Sequence, residues 1–166
     1  MAADAPIVIA YDGSRAAQAG LRRAGALFAR RRAIVLTAWD PRLGEMMLLP
    51  DPTGLGTTAM PYDPALAQEI DREVQHTATE IAAEGAKLAR SLGLDASQMA
   101  VEDTSHPAEA ILQVAAENEA AAIVVGSRGH SGLRAKLLGS TSNAILKGSG
   151  SIPVVIVHAP PENSEQ

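Results

Sequence analysis

The sequence predicts an α/β domain, a single doubly wound, five-stranded parallel sheet in the order 3-2-1-4-5 with helices on both faces. Three observations carry that reading. Residues 6–11, 33–39 and 121–125 are short, nearly continuous apolar runs, the pattern of strands buried on both faces. Between the runs, apolar residues recur at helical spacing. The first strand, helix and second strand follow within about thirty residues, a βαβ unit whose crossover is right-handed. The 166 residues suit one domain, placed at 1–159 and long enough to bury roughly 70% of its unfolded surface. The tail 160–166 has nothing to bury and is expected to be disordered.

The elements follow in order. Tyr11-Asp12-Gly13-Ser14 ends the first strand, and Ser14 suits the cap of a helix with Ala17, Leu21, Ala24 and Phe28 on one face. The second strand, Ala33 to Trp39, is almost wholly apolar. From Asp40 to Tyr62 prolines, glycines and a Met-Met-Leu-Leu run keep no period, which predicts a long loop, with Met46 to Leu49 tucked onto the flank. Such a loop, starting beside the ligand site expected at the strand ends, would be protected when ligand binds. Asp63-Pro64 is a cap and a first-turn proline. Leu66, Ile70, Val74, Thr77, Ile81, Leu88 and Leu92 keep helical spacing until Gly93 stops the helix. His76 has no metal-ligand partner at suitable spacing and is expected at the surface. Residues 98–104 are the most polar strand, suited to a sheet edge. His106 precedes Pro107 and is expected to cap the next helix, with Ile111, Leu112 and Ala115 inward. Pro153 leads the last strand, which runs to His158.

Composition narrows the function. Tyr11, Phe28, Trp39 and Tyr62 are all the aromatic residues, so aliphatic side chains and alanine must fill the core. A net charge of −5 without a basic face argues against a nucleic-acid partner. Arg30-Arg31-Arg32 are expected to complement the dipole of the first helix and solvate the turn after it. With no cysteine, disulfides, thiol catalysis and a cysteine zinc site are excluded. No segment is long and apolar enough to span a bilayer and no basic leader is present, so a cytoplasmic location without a membrane partner is expected.

The chemistry gathers between Ala121 and Ser142. The strand breaks at Gly126, at the carboxyl end where open α/β sheets bind ligands. Gly126 and Gly129 are able to take positive φ and admit a phosphate close to the backbone. Gly139 opens the Ser140-Thr141-Ser142 cluster, which suits the start of a short helix, Ser142 to Lys147, with its first N–H groups facing an anion. Arg128, His130, Arg134 and Lys136 lie between the glycines. Together these make a phosphate cradle. Asp12, at the end of the neighbouring first strand, either contacts ribose hydroxyls or a magnesium ion, or closes an Asx-turn with Gly13 and Ser14.

Gly126-x-x-Gly129, nine residues, then Gly139-Ser140 resembles the nucleotide-binding signature of the universal stress protein family. The resemblance extends through Ile7 to Ser14 and Pro153 to Val157, covering nearly the whole chain except residues 41–61 and the last eight. It implies an adenine nucleotide alpha hydrolase-like (Rossmann-like) fold that binds ATP, and it favours ligand contact for Asp12 without deciding between ribose and magnesium. By the same resemblance, the backbone at Ala10 and Tyr11, Ala38 and Val125 would frame the adenine. Gly126, Arg128, Gly129, Gly139, Ser140, Thr141 and Ser142 would hold the phosphates. It further implies a homodimer joined through Val154, Val155, Ile156 and Val157. The sequence departs from the family pattern at Tyr11, Ser105 and Asn143. The Tyr11 ring is expected to narrow the base site or stack in it.

Other chemistries find less support. No Walker A, G-x-G-x-x-G after the first strand, or G-x-S-x-G elbow occurs. His130 and Ser131 adjoin without an orienting group. The resemblance therefore implies a nucleotide-dependent regulator of a stress response with no catalytic residue. Two alternatives stay open. One is a slow ATPase or autophosphorylating protein with Ser140, Thr141 or Ser131 as acceptor. The other is a structural dimer module without nucleotide.

Overall fold

The computed structural model describes residues 4–48, 63–127 and 138–159. The elements run β1 (Ile7–Ala10), α1 (Arg15–Leu27), β2 (Arg32–Trp39), α2 (Leu43–Leu48), α3 (Pro64–Ser91), β3 (Asp95–Glu102), α4 (Pro107–Glu117), β4 (Ala122–Gly126), α5 (Ser140–Gly148) and β5 (Val154–Val157). The strands form one sheet in the order β3-β2-β1-β4-β5, and every pairing is parallel. The expected doubly wound α/β fold is what the chain adopts.

Alternation along the strands sorts the core into two layers. Ile7, Ile9 and Tyr11 pack with Val35 and Val124 against Leu21, Ala24, Ala86 and Ala89 of α1 and α3. Val8, Leu36, Ile123 and Val125 pack with Ile111, Ala115 and Ile145 of α4 and α5 on the other face. Scarce aromatics are matched by close approach. A β-carbon on Gly126 would lie 2.7 Å from the Ala16 carbonyl carbon and 2.9 Å from the Ala17 nitrogen, so α1 rests directly on β4.

The helix starts follow their caps. The Ser14 hydroxyl accepts the Ala17 N–H at 3.2 Å, Asp63 accepts the Ala65 N–H at 2.9 Å, and His106 Nδ1 accepts the Ala108 N–H at 3.1 Å. Gly93, at φ +86, takes the left-handed turn that ends α3. His76 is exposed beside Glu80, 3.4 Å away.

Several expectations need correction. Residues 43–48 are helical: the Gly44 N–H donates to Asp71 of α3 at 2.7 Å, a tertiary dock that no local period reveals. Met46 and Met47 are exposed instead of tucked in, because the dock runs through Gly44. The described residues thus hold five helices, one more than expected, and residues 49–62 of the expected loop lie outside them. On α3 the buried positions are Ala67, Ala78, Ala82, Gly85, Ala86 and Ala89, while Leu66 is exposed. Small residues let the helix close on the sheet, and the larger aliphatics line its flank. β3 begins at Asp95, carried there by pairing with β2 from Arg32 onward. The arginine run lies beyond α1, whose last turn has no basic residue. Arg31 instead donates to the Ala5 carbonyl at 3.1 Å and Arg32 meets Asp4 at 3.5 Å. The tail 160–166 is outside the described residues.

Candidate functional site

After β1 the chain crosses to one face of the sheet, and after β4 to the other. These two strands are neighbours, so their carboxyl ends part and leave a crevice. A cavity of about 220 Å³ lies there, lined by Ala10, Tyr11, Asp12, Ala17, Leu36, Thr37, Ala38, Pro107, Ile111, Val125, Gly126, Gly139, Ser140, Thr141 and Ser142. The sequence-derived residues within the described chain thus share one cavity. Arg128 and Gly129, with His130, Ser131, Arg134 and Lys136, lie outside the described residues.

One wall is the start of α5. Its N-cap is Gly139, at φ −63 and ψ 162, and no side chain caps the helix. The first-turn N–H groups have no acceptor within the helix and carry the positive end of its dipole. Two details differ from the sequence reading. The helix begins at Ser140, so Ser140 and Thr141 are in its first turn. Gly139 has negative φ, so a turn in the left-handed region is not its reason for being glycine. Gly126 likewise takes no positive φ; the closeness of α1 requires it.

Ser127 fixes the frame around the segment that follows β4. Its N–H donates to the Val157 carbonyl at 2.7 Å, and its own carbonyl accepts the Gly139 N–H at 2.7 Å. The buried Ser142 hydroxyl also donates toward that carbonyl, at 3.1 Å, and lies 3.1 Å from the Gly139 carbonyl. Ser142 therefore turns its hydroxyl to the Ser127 and Gly139 carbonyls.

Asp12 Oδ1 accepts the Ser14 N–H at 3.0 Å, with Gly13 at φ +79. This is the Asx-turn geometry, and the same carboxylate borders the cavity. Among the described residues no group of three His, Asp or Glu side chains is set to hold a metal. A magnesium ion here would need phosphate oxygens besides Asp12.

Tyr11 corrects another expectation. Its ring packs with Ile9, Val35 and Ala86, in the layer of α1 and α3. A β-carbon on Gly85 would lie 2.6 Å from its Cδ1. Ala10, Ala38, Val125 and Ile111 belong to the opposite layer. The ring is thus held in the core layer opposite most of the apolar cavity lining, although Tyr11 itself, like Ala17 of its own layer, borders the cavity. Burial first, then the negative charges of Glu84 and Asp12, raise the phenol pKa above its ordinary value, with Arg22 opposing.

Sequence reasoning missed Ala17, Leu36, Thr37, Pro107 and Ile111 as lining residues. Thr37 could have been found as the one hydroxyl in an otherwise apolar strand. Pro107 and Ile111 arrive from a helix far along the chain, and no local signal marks them.

Known proteins resemble this chain over nearly its whole length. The model of the universal stress protein family matches residues 5–158. The structure of hypothetical protein MJ0577 is similar at a TM-score of 0.73 and 21% identity, over 97% of this chain and 99% of that one. The universal stress protein of Archaeoglobus fulgidus in complex with dAMP gives a TM-score of 0.56 at 21% identity, covering 92% and 96%. A family protein of Arabidopsis thaliana with AMP bound gives 0.60 at 13% identity, covering 95% and 96%. The comparison with curated proteins finds no match.

Proposed function

Since the chain belongs to the universal stress protein family, we propose that its cavity binds ATP and that the protein acts as a nucleotide-dependent regulator in a stress response. The observation that carries this reading is the meeting of the β1 and β4 carboxyl ends with the uncapped start of α5 around one cavity. Ala10, Tyr11, Ala38 and Val125 would border the base. Gly126, Gly139, Ser140, Thr141 and Ser142 would meet the phosphates through their main chain, with Arg128 and Gly129 completing that side. Asp12 would face ribose or a magnesium ion. Relatives that bind AMP and dAMP support an adenine nucleotide as the ligand class.

Binding is favoured over rapid turnover. Fast phosphoryl transfer needs a positioned base besides a cradle, and Asp12 is the one carboxylate among the described lining residues. Its Oδ1 already receives the Ser14 N–H. We assign the homodimer to β5, and the cysteine-free sequence accords with the cytoplasm.

Calorimetric titration with ATP tests the reading. We expect one site per chain in the wild type and loss of binding in Gly139→Val, with an unchanged circular dichroism spectrum. At φ −63 valine meets no left-handed strain, so its effect comes from bulk at the cavity wall. No heat of binding in the wild type would overturn the assignment, and ATP consumption at about 1 per second or more would make the protein an enzyme.

A further inference from the structure

We propose that Thr37 is the positioning residue that opens the base-reading edge of the cavity, by giving the Tyr11 carbonyl a hydroxyl donor in place of the Ala38 N–H. This inference rests on the nucleotide reading and deepens it. In a parallel sheet, successive residues of a central strand turn their main-chain groups alternately to the two neighbours. Two bonds fix the phase along β2. The Tyr11 N–H donates to the Leu36 carbonyl at 2.8 Å, on the β1 side, and the Asp103 N–H donates to the Trp39 carbonyl at 2.7 Å, on the β3 side. Ala38, two residues after Leu36, therefore faces β1.

A regular ladder would spend the Ala38 N–H on the Tyr11 carbonyl. That carbonyl receives the Thr37 hydroxyl instead, at 2.8 Å in a buried setting. β1 has ended at Ala10, and the chain turns away through Asp12 and Gly13. Ala38 is then left presenting its N–H and C=O together toward the cavity it lines. A donor beside an acceptor suits a base edge with a ring nitrogen beside an exocyclic amine, as adenine has.

Valine has the shape of threonine but cannot donate. In Thr37→Val the Tyr11 carbonyl would lose its donor, which a buried acceptor tolerates poorly. The Ala38 N–H is the ladder's own replacement, and the edge would close.

The experiment titrates AMP and ATP into wild type, Thr37→Val, Thr37→Ala and Thr37→Ser, and follows the Ala38 amide resonance by NMR. We expect Val and Ala to weaken both ligands by the same factor, about tenfold, and Ser to restore affinity. The Ala38 amide should shift on AMP addition in wild type and Ser alone. Should Val fail to fold, Ala against Ser makes the same comparison. Affinity unchanged in Val and Ala, Ser as weak as Ala, or a loss confined to ATP would each overturn the role of Thr37. A wild type that binds neither nucleotide would instead remove the nucleotide reading itself.

Discussion

Tyr11 holds its ring in one layer of the core, while most of the apolar residues that line the cavity with it belong to the other. Gly85 makes this possible, since any β-carbon there would overlap the ring. The buried phenol gives the residue a pH signature. Its raised pKa, caused by burial and then by Glu84 and Asp12, means that the unfolded chain loses this proton at lower pH than the folded one. The associated stability is therefore complete below about pH 10, the unfolded value, and is lost as pH climbs through the folded value. We expect the melting temperature of the wild type to fall with pH above about 10, and Tyr11→Phe to fall less steeply. Equal slopes would show that this phenol carries no linked proton. The sequence made Tyr11 legible as a residue bordering the cavity through its position at a strand end. It could not show which side of the sheet the ring takes, because Gly85 lies more than seventy residues away.

At the scale of elements, helix starts were legible because their causes are local. Ser14, Asp63 and His106 each stand within three residues of the N–H they accept. The α2 dock was not legible, since it depends on Gly44 meeting Asp71 across the fold. The same contrast governs Gly126. Its place at a strand end marked the site, but its immediate task is to let α1 lie on β4. We expect Gly126→Ala to destabilise the domain by about 1–3 kcal/mol, as overpacking does. The atoms in the way are main chain of Ala16 and Ala17, which no rotamer change can move. Any strand-propensity gain from alanine is under about 1 kcal/mol and does not reverse the sign. Thermal melting should show a drop of roughly 2–4 °C for each kcal/mol lost, with weaker ATP binding because Asp12 and Ser14 move with α1. An unchanged melting temperature would mean that the helix has room to spare.

The whole molecule has two unlike sheet edges. β3 carries Asp95, Ser97, Gln98 and Glu102, side chains that discourage further pairing. β5 is Val154-Val155-Ile156-Val157, with every residue only half buried. Its side chains already serve both core layers, Val155 and Val157 on one and Val154 and Ile156 on the other, so a charge there would cost core packing. Pairing with a second copy covers this edge without that cost. A two-fold axis would bring the same patch together from both copies and set the strands antiparallel, so the proposed dimer would extend the sheet. Such a seam would be apolar and joined by main-chain hydrogen bonds, so raised salt should not dissolve it. Light scattering at micromolar concentration should give twice the chain mass, at low salt and at about 1 M, where charge pairs are screened within roughly 3 Å. A single-chain mass under both conditions would leave β5 a bare edge and refute the dimer. A dimer that parts at high salt would place the contact on charged surface elsewhere.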